Sequence, residues 1–447
     1  MEDSSSSSIP IAYQGLGAAA EERAIKSRRA KRFADGWEHP KPKPPNPIED
    51  AIKSWFETLP AGLLESIGAT VDELISTAPK RWIVYAPMAL LPSGGFSHKT
   101  WTQLQSALSS IQADDLWTKI LGAITKKEGK GLLTHLAINS GIPLHKIGDE
   151  DEIDEYLGLT PEGIMSEDPN QDNILRTPSG LITLHGDFGP SLSPDVIPSE
   201  RDFKEAFWVS TKQNGITQIW APRYTMFSRG NVKEKARLLE FHSSRFTPES
   251  RKRTKQELGH DAAVDLYAGI GYFVFSYVKV GMGKVLGWEL NPWSVEGLRR
   301  GAQANGWSIR IVKSHDEWEM GTEDIVVFLE DNRKALERLK RLPPGELRSV
   351  KHVNCGLLPS SEGSWETAME ILPEEGWIHV HENVGHNDVG AKKRQIQEAF
   401  STHLQKAGRT AEVIVEHVEF VKTFAPGVWH CVFDVYIRSG VVREPGS

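Results

Sequence analysis

Short hydrophobic segments and amphipathic helical segments alternate along the second half of the chain. Apolar stretches with the length of buried strands fall at 262–266, 285–290, 325–329, 352–354 and 376–380. Helical spacing of apolar positions predicts helices over 293–304, 333–341, 363–371 and 390–406. Two further apolar stretches, 411–424 and 428–437, flank Ala425-Pro426-Gly427 and predict an antiparallel pair. The pattern therefore predicts an α/β fold with a mostly parallel, doubly wound sheet that ends in an antiparallel edge.

The first half of the chain lacks this alternation and divides into three shorter regions. The first is rich in Ser, then in charge, then in Pro, a composition that cannot bury enough apolar surface to become ordered. The second combines helical spacing, as over 101–124, with a short strand at 81–85 and an acidic stretch at 149–172. In the third, Asn214-Gly215 lies between two apolar stretches and predicts a two-residue hairpin turn. The predicted domains are a disordered, basic and Pro-rich arm at 1–46, a mixed region with an acidic linker at 47–170, a small β-rich domain at 171–230, and the α/β domain at 231–447.

The composition is that of a globular protein with several domains. At about 150 residues per domain, the 447 residues suggest about three domains. No apolar run approaches the roughly 18 residues that a membrane-spanning helix needs, and the acidic, polar start resembles neither a signal peptide nor a transit peptide. The two cysteines, Cys355 and Cys431, lie far apart, which excludes a disulfide framework and a cysteine zinc site. We expect a soluble, cytoplasmic protein, most simply a monomer, without a metal.

The charge of the chain limits the ways in which it can bind nucleic acid. A net charge of -8 argues against a protein that coats nucleic acid without specificity. Local basic clusters nevertheless occur at 23–32, 251–255, 299–300 and 392–394. Most such clusters are solvated faces of a protein, but binding depends on local patches rather than on the total charge. An RNA partner therefore stays open.

The sharpest local signal is the segment Asp265-Leu266-Tyr267-Ala268-Gly269-Ile270-Gly271-Tyr272-Phe273. A strand ends in an acidic residue, and a turn containing Gly269 and Gly271 then begins a helix, so that the backbone can approach a ligand closely. Val274 stands where a dinucleotide-binding G-x-G-x-x-G motif has its third glycine. Together with Asp265, this difference favours S-adenosylmethionine over NAD.

Acidic and amide residues follow the next hydrophobic strands. Glu289 ends the second strand, where a carboxylate can accept hydrogen bonds from both ribose hydroxyls. At the end of the stretch 325–329, Asp331 and Asn332 offer an acceptor and a donor to the edge of adenine. The pattern predicts a nucleoside site formed by Asp265, Gly269, Gly271, Glu289, Asp331 and Asn332.

Segments around this site resemble one superfamily of tRNA-modifying enzymes. The stretch 220–231 with 235–237, followed by the glycine turn, is similar to tRNA guanine-N1 methyltransferases that act beside the anticodon and to their relatives in wybutosine synthesis. The segments 354–361 and 379–383 look like the wybutosine branch, since the methyltransferases would carry Asn-Leu-Pro at the first. Glu330 replaces the glycine of that branch's Gly-Asp-Asn-Arg-Lys. The resemblance covers about 175 to 437.

The resemblance implies a fold and an activity. The fold would be a class I S-adenosylmethionine-dependent methyltransferase-like Rossmann domain, in which Ser228, Lys235, Glu289, Asp331 and Asn332 contact S-adenosylmethionine. The activity would be transfer of the 3-amino-3-carboxypropyl group to a ring carbon of 4-demethylwyosine in tRNA-Phe, with release of methylthioadenosine. An attacking ring carbon must then lose a proton, and His381 and Glu382 are the candidate bases. The competing interpretation gives both residues packing or capping roles at the end of their strand.

Three alternatives differ in the chemistry they predict. The first is a tRNA guanine-N1 methyltransferase with the same co-substrate, which the stretch 356–359 disfavours. The second is a catalytically inactive tRNA-binding scaffold, which would lack the acidic residues Asp265, Glu289 and Asp331. The third is an NAD-dependent oxidoreductase, disfavoured by Val274.

Overall fold

A computed structural model describes residues 45–129, 131–139, 181–193, 196–372 and 374–440. The predicted arm, apart from its last two residues, and the predicted acidic linker lie outside the described residues. Within the described part of the chain, no helix is both long and apolar enough to cross a membrane.

The N-terminal region packs helices against a small sheet. Its helices are α1 (Pro47–Phe56), α2 (Leu63–Ser66), α3 (Val71–Thr77), α4 (Lys99–Ala107) and α5 (Ser110–Glu128), and its strands are β1 (Ile83–Tyr85), β2 (Met88–Leu91), β3 (His135–Ile138) and β4 (Ile182–His185). The strand order is β1-β2-β3-β4, with β2 and β3 parallel and the other pairs antiparallel. Trp55 and Trp101 are buried in the core between the helices and the sheet.

Two elements of this region differ from the prediction. The single helix predicted over 101–124 is two helices, because Ser109 begins α5 with a capping box to Gln112. The strand predicted at 81–85 is followed by a second strand, β2, which pairs with it in a hairpin and is buried throughout.

The region predicted as a β-rich domain shares a sheet with the region before it. Strand β4 pairs with β3, so residues from 47–170 and from 171–230 complete one sheet. Helix α6 (Glu200–Glu205) precedes a separate hairpin of β5 (Val209–Gln213) and β6 (Ile216–Trp220). The turn between them has positive φ at Asn214 (51°) and Gly215 (72°), which confirms the predicted two-residue hairpin.

The C-terminal region is built on an eight-stranded sheet of order β13-β14-β12-β11-β7-β8-β10-β9. Its strands are β7 (Asp261–Asp265), β8 (Lys284–Glu289), β9 (Ile309–Lys313), β10 (Ile325–Leu329), β11 (Ser349–Cys355), β12 (Glu375–Gly385), β13 (Ala411–Ala425) and β14 (Val428–Ser439). Its helices are α7 (Val232–Leu239), α8 (Lys255–Leu258), α9 (Val274–Val280), α10 (Pro292–Ala304), α11 (Ala335–Lys340), α12 (Trp365–Ile371) and α13 (Val389–Lys406).

Both faces of this sheet are covered by helices. Alternate residues of the central strands point to opposite faces, as Ala263 and Val264 of β7 do. Helices α7, α9 and α10 contribute to one apolar cluster, and α11, α12 and α13 contribute to the other. Strands β7 to β12 pair in parallel, whereas β14 runs antiparallel to both β12 and β13. The predicted doubly wound sheet with an antiparallel edge is confirmed.

Candidate functional site

The carboxyl ends of the parallel strands carry the predicted nucleoside site. Strand β7 ends at Asp265, and the glycine turn leads from it into α9. Gly269 and Gly271 have φ angles of 54° and 87°, in the left-handed region that side chains disfavour. A Cβ at Gly271 would also lie 2.6 Å from the ring of Phe275. Both glycines are therefore required by the path of the backbone.

Glu289 fastens the glycine turn to the next strand. Its Oε2 accepts a hydrogen bond from the Gly269 amide at 2.8 Å, and its Oε1 accepts one from the Asn291 amide at 2.8 Å. Each carboxylate oxygen can accept more than one hydrogen bond, so these contacts are compatible with ribose hydroxyls as further donors. The Asn291 side chain caps α10 by accepting from the Trp293 amide. One carboxylate thus joins the ends of β7 and β8.

Asp265 is a fully buried acid at the end of β7. Its Oδ1 accepts from the Tyr267 amide at 3.1 Å and from Asn354 Nδ2 at 3.0 Å. Burial raises the pKa of Asp265 to about 6, and the negative charge of Glu289 acts in the same direction. Its Oδ2 is buried and has no hydrogen-bond partner among the described residues. The arrangement suits a ligand that brings a hydrogen-bond donor or a positive charge to Oδ2.

The segment after β10 contributes one side chain to the turn and one to the surface. Asn332 donates from Nδ2 to the Leu266 carbonyl at 2.9 Å, which places it beside the glycine turn. The Asp331 carboxylate accepts from Arg333, with 2.6 Å between Oδ2 and Nη2, and this guanidinium lowers the pKa of Asp331. The structure therefore brings Asn332 to the site and pairs Asp331 with its neighbour.

Glu330, which departs from the glycine of the related motif, has a structural partner. Its two carboxylate oxygens each accept from Arg338 at 2.9 Å, and both side chains are buried. Arg338 also donates to the carbonyls of Lys313 and Ser314 at the end of β9. Glu330 therefore anchors the edge strand β9, through Arg338, to the segment that carries Asp331 and Asn332.

Ser228 and Lys235 come from the segment that precedes the large sheet. The Ser228 amide donates to the Tyr272 hydroxyl at 3.1 Å, which joins it to the glycine turn. Lys235 is 2% exposed, and its Nζ donates to Gln213 Oε1 at 2.6 Å and to Gln218 Oε1 at 2.7 Å. Burial lowers the pKa of Lys235 to about 7.

Gln218 connects this lysine to the turn. Its Nε2 donates to the Gly271 carbonyl at 3.4 Å. The amine of Lys235 therefore lies behind the glycine turn, against the rings of Phe227 and Tyr272.

His381 and Glu382, the predicted bases, point to opposite faces of β12. His381 is fully buried between Asn354 Oδ1 (3.2 Å from Nε2) and His430 Nε2 (2.9 Å from Nδ1). Burial lowers the pKa of His381 well below its usual value. Through Asn354 it joins the hydrogen-bond chain that reaches Asp265.

Glu382 has a different environment, formed by a loop and a helix. Its Oε1 accepts from the Ser361 amide and from Ser360 Oγ, both at 2.9 Å. Its Oε2 pairs with Lys392 of α13 at 3.1 Å. Glu382 thus holds the loop 356–361 in place.

Asn354 and Tyr272 belong to the candidate site, although the sequence pattern alone did not single them out. Asn354 bridges Asp265 and His381, and Tyr272 joins Ser228 to the turn. Both lie inside the segments that carried the family resemblance, and this was the signal that marked them. Among the residues that the structure describes, no group of three or more His, Cys, Asp or Glu side chains is arranged to hold a metal ion.

Comparisons with known proteins place the chain in a family. The chain is 40% identical over 398 residues to tRNA wybutosine-synthesizing protein 2 of Schizosaccharomyces pombe, covering 87% of this chain and 81% of that protein. It is 30% identical over 405 residues to the protein of the same name from Saccharomyces cerevisiae, covering 82% and 75%. No family model matches the chain.

A solved structure supports the fold independently. A Pyrococcus horikoshii protein described as a transferase superposes with a TM-score of 0.50 at 17% identity, covering 88% of this chain and all of that one. At this identity the likeness concerns the fold alone. It agrees with the predicted Rossmann-like architecture.

Proposed function

The chain belongs to the tRNA wybutosine-synthesizing protein 2 family, and on that premise we propose that it transfers the 3-amino-3-carboxypropyl group of S-adenosylmethionine to a ring carbon of 4-demethylwyosine. The acceptor nucleoside lies beside the anticodon of tRNA-Phe, and methylthioadenosine is the co-product. The protein acts in the cytoplasm as a monomer.

One observation carries the co-substrate assignment: the unpartnered Oδ2 of buried Asp265 beside the turn that Glu289 holds. A carboxylate oxygen without a donor among the described residues fits a ligand that carries an ammonium or hydroxyl group. Glu289 at the end of β8 suits the ribose hydroxyls, and Asn332 suits the adenine edge. Asp331, Gly269 and Gly271 complete the predicted binding set, Ser228 joins it through Tyr272, and Lys235 supports the turn from behind through Gln218.

The sulfonium of S-adenosylmethionine activates each of its three attached carbons, so that the carbon facing the acceptor decides the product. The protein therefore needs to orient two ligands rather than to supply a nucleophile. The path from Asp265 through Asn354 to His381 is a rigid support for such orientation, because every member is buried and hydrogen-bonded.

For His381 and Glu382 we propose positioning roles. His381 is fully buried, and its two ring nitrogens hydrogen-bond to Asn354 and His430, so a proton that it took up would have no direct path to water. Glu382 holds the loop 356–361 through Ser360 and Ser361. These contacts favour the packing interpretation of both residues over proton transfer.

Mass spectrometry of the tRNA tests the proposed function. The purified protein is incubated with S-adenosylmethionine and tRNA-Phe that carries 4-demethylwyosine, and the nucleosides and the small co-product are then identified. We expect an aminocarboxypropyl nucleoside together with methylthioadenosine. A methylated nucleoside together with S-adenosylhomocysteine would identify a methyltransferase instead.

A further inference from the structure

Three polar residues lie side by side across the antiparallel edge of the large sheet. Lys422 of β13 is opposite His430 of β14, and His430 is opposite Asn383 of β12. Residues directly opposite in antiparallel strands project to the same face with their Cβ atoms about 5 Å apart. We name Lys422, His430 and Asn383 the cross-strand row.

The cross-strand row lies between Ser228 of the proposed co-substrate site and the loop 356–361. Lys422 Nζ donates to Ser228 Oγ at 3.1 Å. The backbone N–H of Asn383 donates to the Pro359 carbonyl at 2.8 Å, which places Asn383 beside the loop 356–361. The row therefore spans the distance between Ser228 and this loop.

The middle of the row is connected to the same site. His430 Nε2 is 2.9 Å from His381 Nδ1, and His381 leads through Asn354 to Asp265. Lys422 and His430 thus reach the co-substrate side, through Ser228 and through His381.

The row presents hydrogen-bonding groups that other protein groups do not use. Both side-chain atoms of Asn383, Oδ1 and Nδ2, and Nδ1 of His430 are buried without a partner among the described residues. Buried polar atoms of this kind cost stability unless water or a ligand satisfies them. Lys422 hydrogen-bonds to a neutral hydroxyl, and no described acidic side chain forms an ion pair with it. Three neighbouring side chains therefore share an unused capacity for polar contacts.

The placement of Lys422 depends on a glycine far away in the sequence. A Cβ at Gly230 would collide with the side chain of Lys422. Because residue 230 is glycine, the lysine can lie across the segment 228–230 and reach Ser228, which is 194 residues away along the chain. Two distant segments are thus matched to hold the ammonium group at this position.

The chemistry of the three side chains limits the kinds of ligand that the cross-strand row can bind. A side-chain amide offers a donor and an acceptor in one plane, as the edge of a nucleobase requires. Burial, with a contribution from the charge of Lys422, lowers the pKa of His430 to about 4, so its imidazole is neutral at neutral pH. Lys422 adds a donor for a carbonyl oxygen or a ring nitrogen.

We propose that the cross-strand row binds the edge of the acceptor nucleobase, a tricyclic purine derivative, and turns its ring carbon toward the activated methylene. This inference rests on the proposed function and adds the residues that recognise the acceptor. Single-stranded nucleotides are generally recognised in this way, with the base turned out and hydrogen-bonded along its edge.

Substitution of Asn383 in the full-length protein tests the proposal. For Asn383→Ala we expect kcat/KM for tRNA carrying 4-demethylwyosine to fall about 10-fold to 100-fold, as for the loss of one or two base-edge hydrogen bonds. The affinity for S-adenosylmethionine should stay within about two-fold in calorimetric titration. The preference for modified over unmodified tRNA, measured by filter binding, should also decrease. Thr423→Ala, at an exposed position next to Lys422, is the matched control and should leave all three quantities unchanged.

Two outcomes overturn the proposal. If Asn383→Ala leaves kcat/KM and tRNA preference unchanged, the row does not contact the acceptor. If it weakens S-adenosylmethionine binding as much as it lowers kcat/KM, the row belongs to the co-substrate site. Lys422→Met and Asn383→Asp repeat the test if Asn383→Ala fails to fold in thermal unfolding. If wild-type protein transfers a methyl group, the proposed function fails, whereas the tRNA preference of the variants still tests the row.

Discussion

Replacement of Glu289 by alanine tests the link between the glycine turn and the co-substrate. In the wild-type protein the carboxylate accepts from the amides of Gly269 and Asn291, both at 2.8 Å. The variant removes a charged acceptor at the point where β8 ends, without adding a side chain that has to be accommodated. Glu289→Gln is the stricter companion, because one of its two terminal atoms is a donor and would face a backbone donor.

The expected magnitude follows from these contacts. A hydrogen bond to a charged group contributes about 1.5–3 kcal/mol. If the ribose hydroxyls donate to this carboxylate, Glu289→Ala should weaken S-adenosylmethionine binding by about that amount, or roughly 10-fold to 150-fold in Kd. Loss of the two backbone contacts should lower the free energy of unfolding by about 3 kcal/mol, the lower end of this range for each contact, because the turn loses its attachment to β8.

Calorimetric titration with two ligands separates the direct contact from support of the turn. We compare S-adenosylmethionine with its 2′-deoxy analogue in the wild-type protein and in Glu289→Ala. If Glu289 binds the ribose, the wild-type protein should prefer the natural ligand, and the variant should lose most of this preference. Glu317→Ala removes an exposed carboxylate and should change neither affinity. An unchanged affinity in folded Glu289→Ala protein would remove this residue from the site.

Three further predictions concern charge. Burial lowers the pKa of Lys235 from 10.5 to about 7, so between these pH values the unfolded chain binds more protons than the folded protein. The free energy of unfolding should therefore rise with pH across that range. Urea unfolding at pH 7 and pH 9.5 should show a smaller rise in Lys235→Met than in the wild-type protein. Glu330→Ala leaves buried Arg338 without its carboxylate and should cost about 3–5 kcal/mol of unfolding free energy, whereas a cost below 1 kcal/mol would show that the pair is dispensable. The affinity for tRNA should fall steeply as the salt concentration is raised. Removal of residues 1–46 should reduce this affinity modestly and leave S-adenosylmethionine binding intact. If the truncation changes neither the affinity nor its salt dependence, the arm at 1–46 does not contact tRNA.

The fold was predictable where the sequence pattern has a single structural interpretation. Strands β7, β8 and β10 are buried on both faces and therefore read as continuous apolar runs. Strand β9 was missed because it is the edge strand of the sheet, is only half-buried, and carries Arg310 and Lys313. The break between α4 and α5 was missed because helical spacing continues across it, although the capping residue Ser109 marks it.

The site was predictable where it follows the ends of strands. Asp265 and Glu289 stand at the carboxyl ends of adjacent parallel strands, which topology alone brings together. The partners of Glu382 and the contact between Lys422 and Ser228 depend on side chains from distant segments, which no local pattern encodes. Lys235 was expected to contact the ligand, but the direction of its amine toward Gln213 and Gln218 depends on a hairpin that folds against α7.

The most direct test of the proposed group transfer follows each carbon of S-adenosylmethionine into the tRNA. The wild-type protein is incubated with tRNA-Phe bearing 4-demethylwyosine and with S-adenosylmethionine labelled either in the methyl carbon or in the aminocarboxypropyl carbons. We expect label to enter the tRNA only from the aminocarboxypropyl carbons, and the methyl label to leave in methylthioadenosine. Methyl label in the tRNA, with release of S-adenosylhomocysteine, would contradict it.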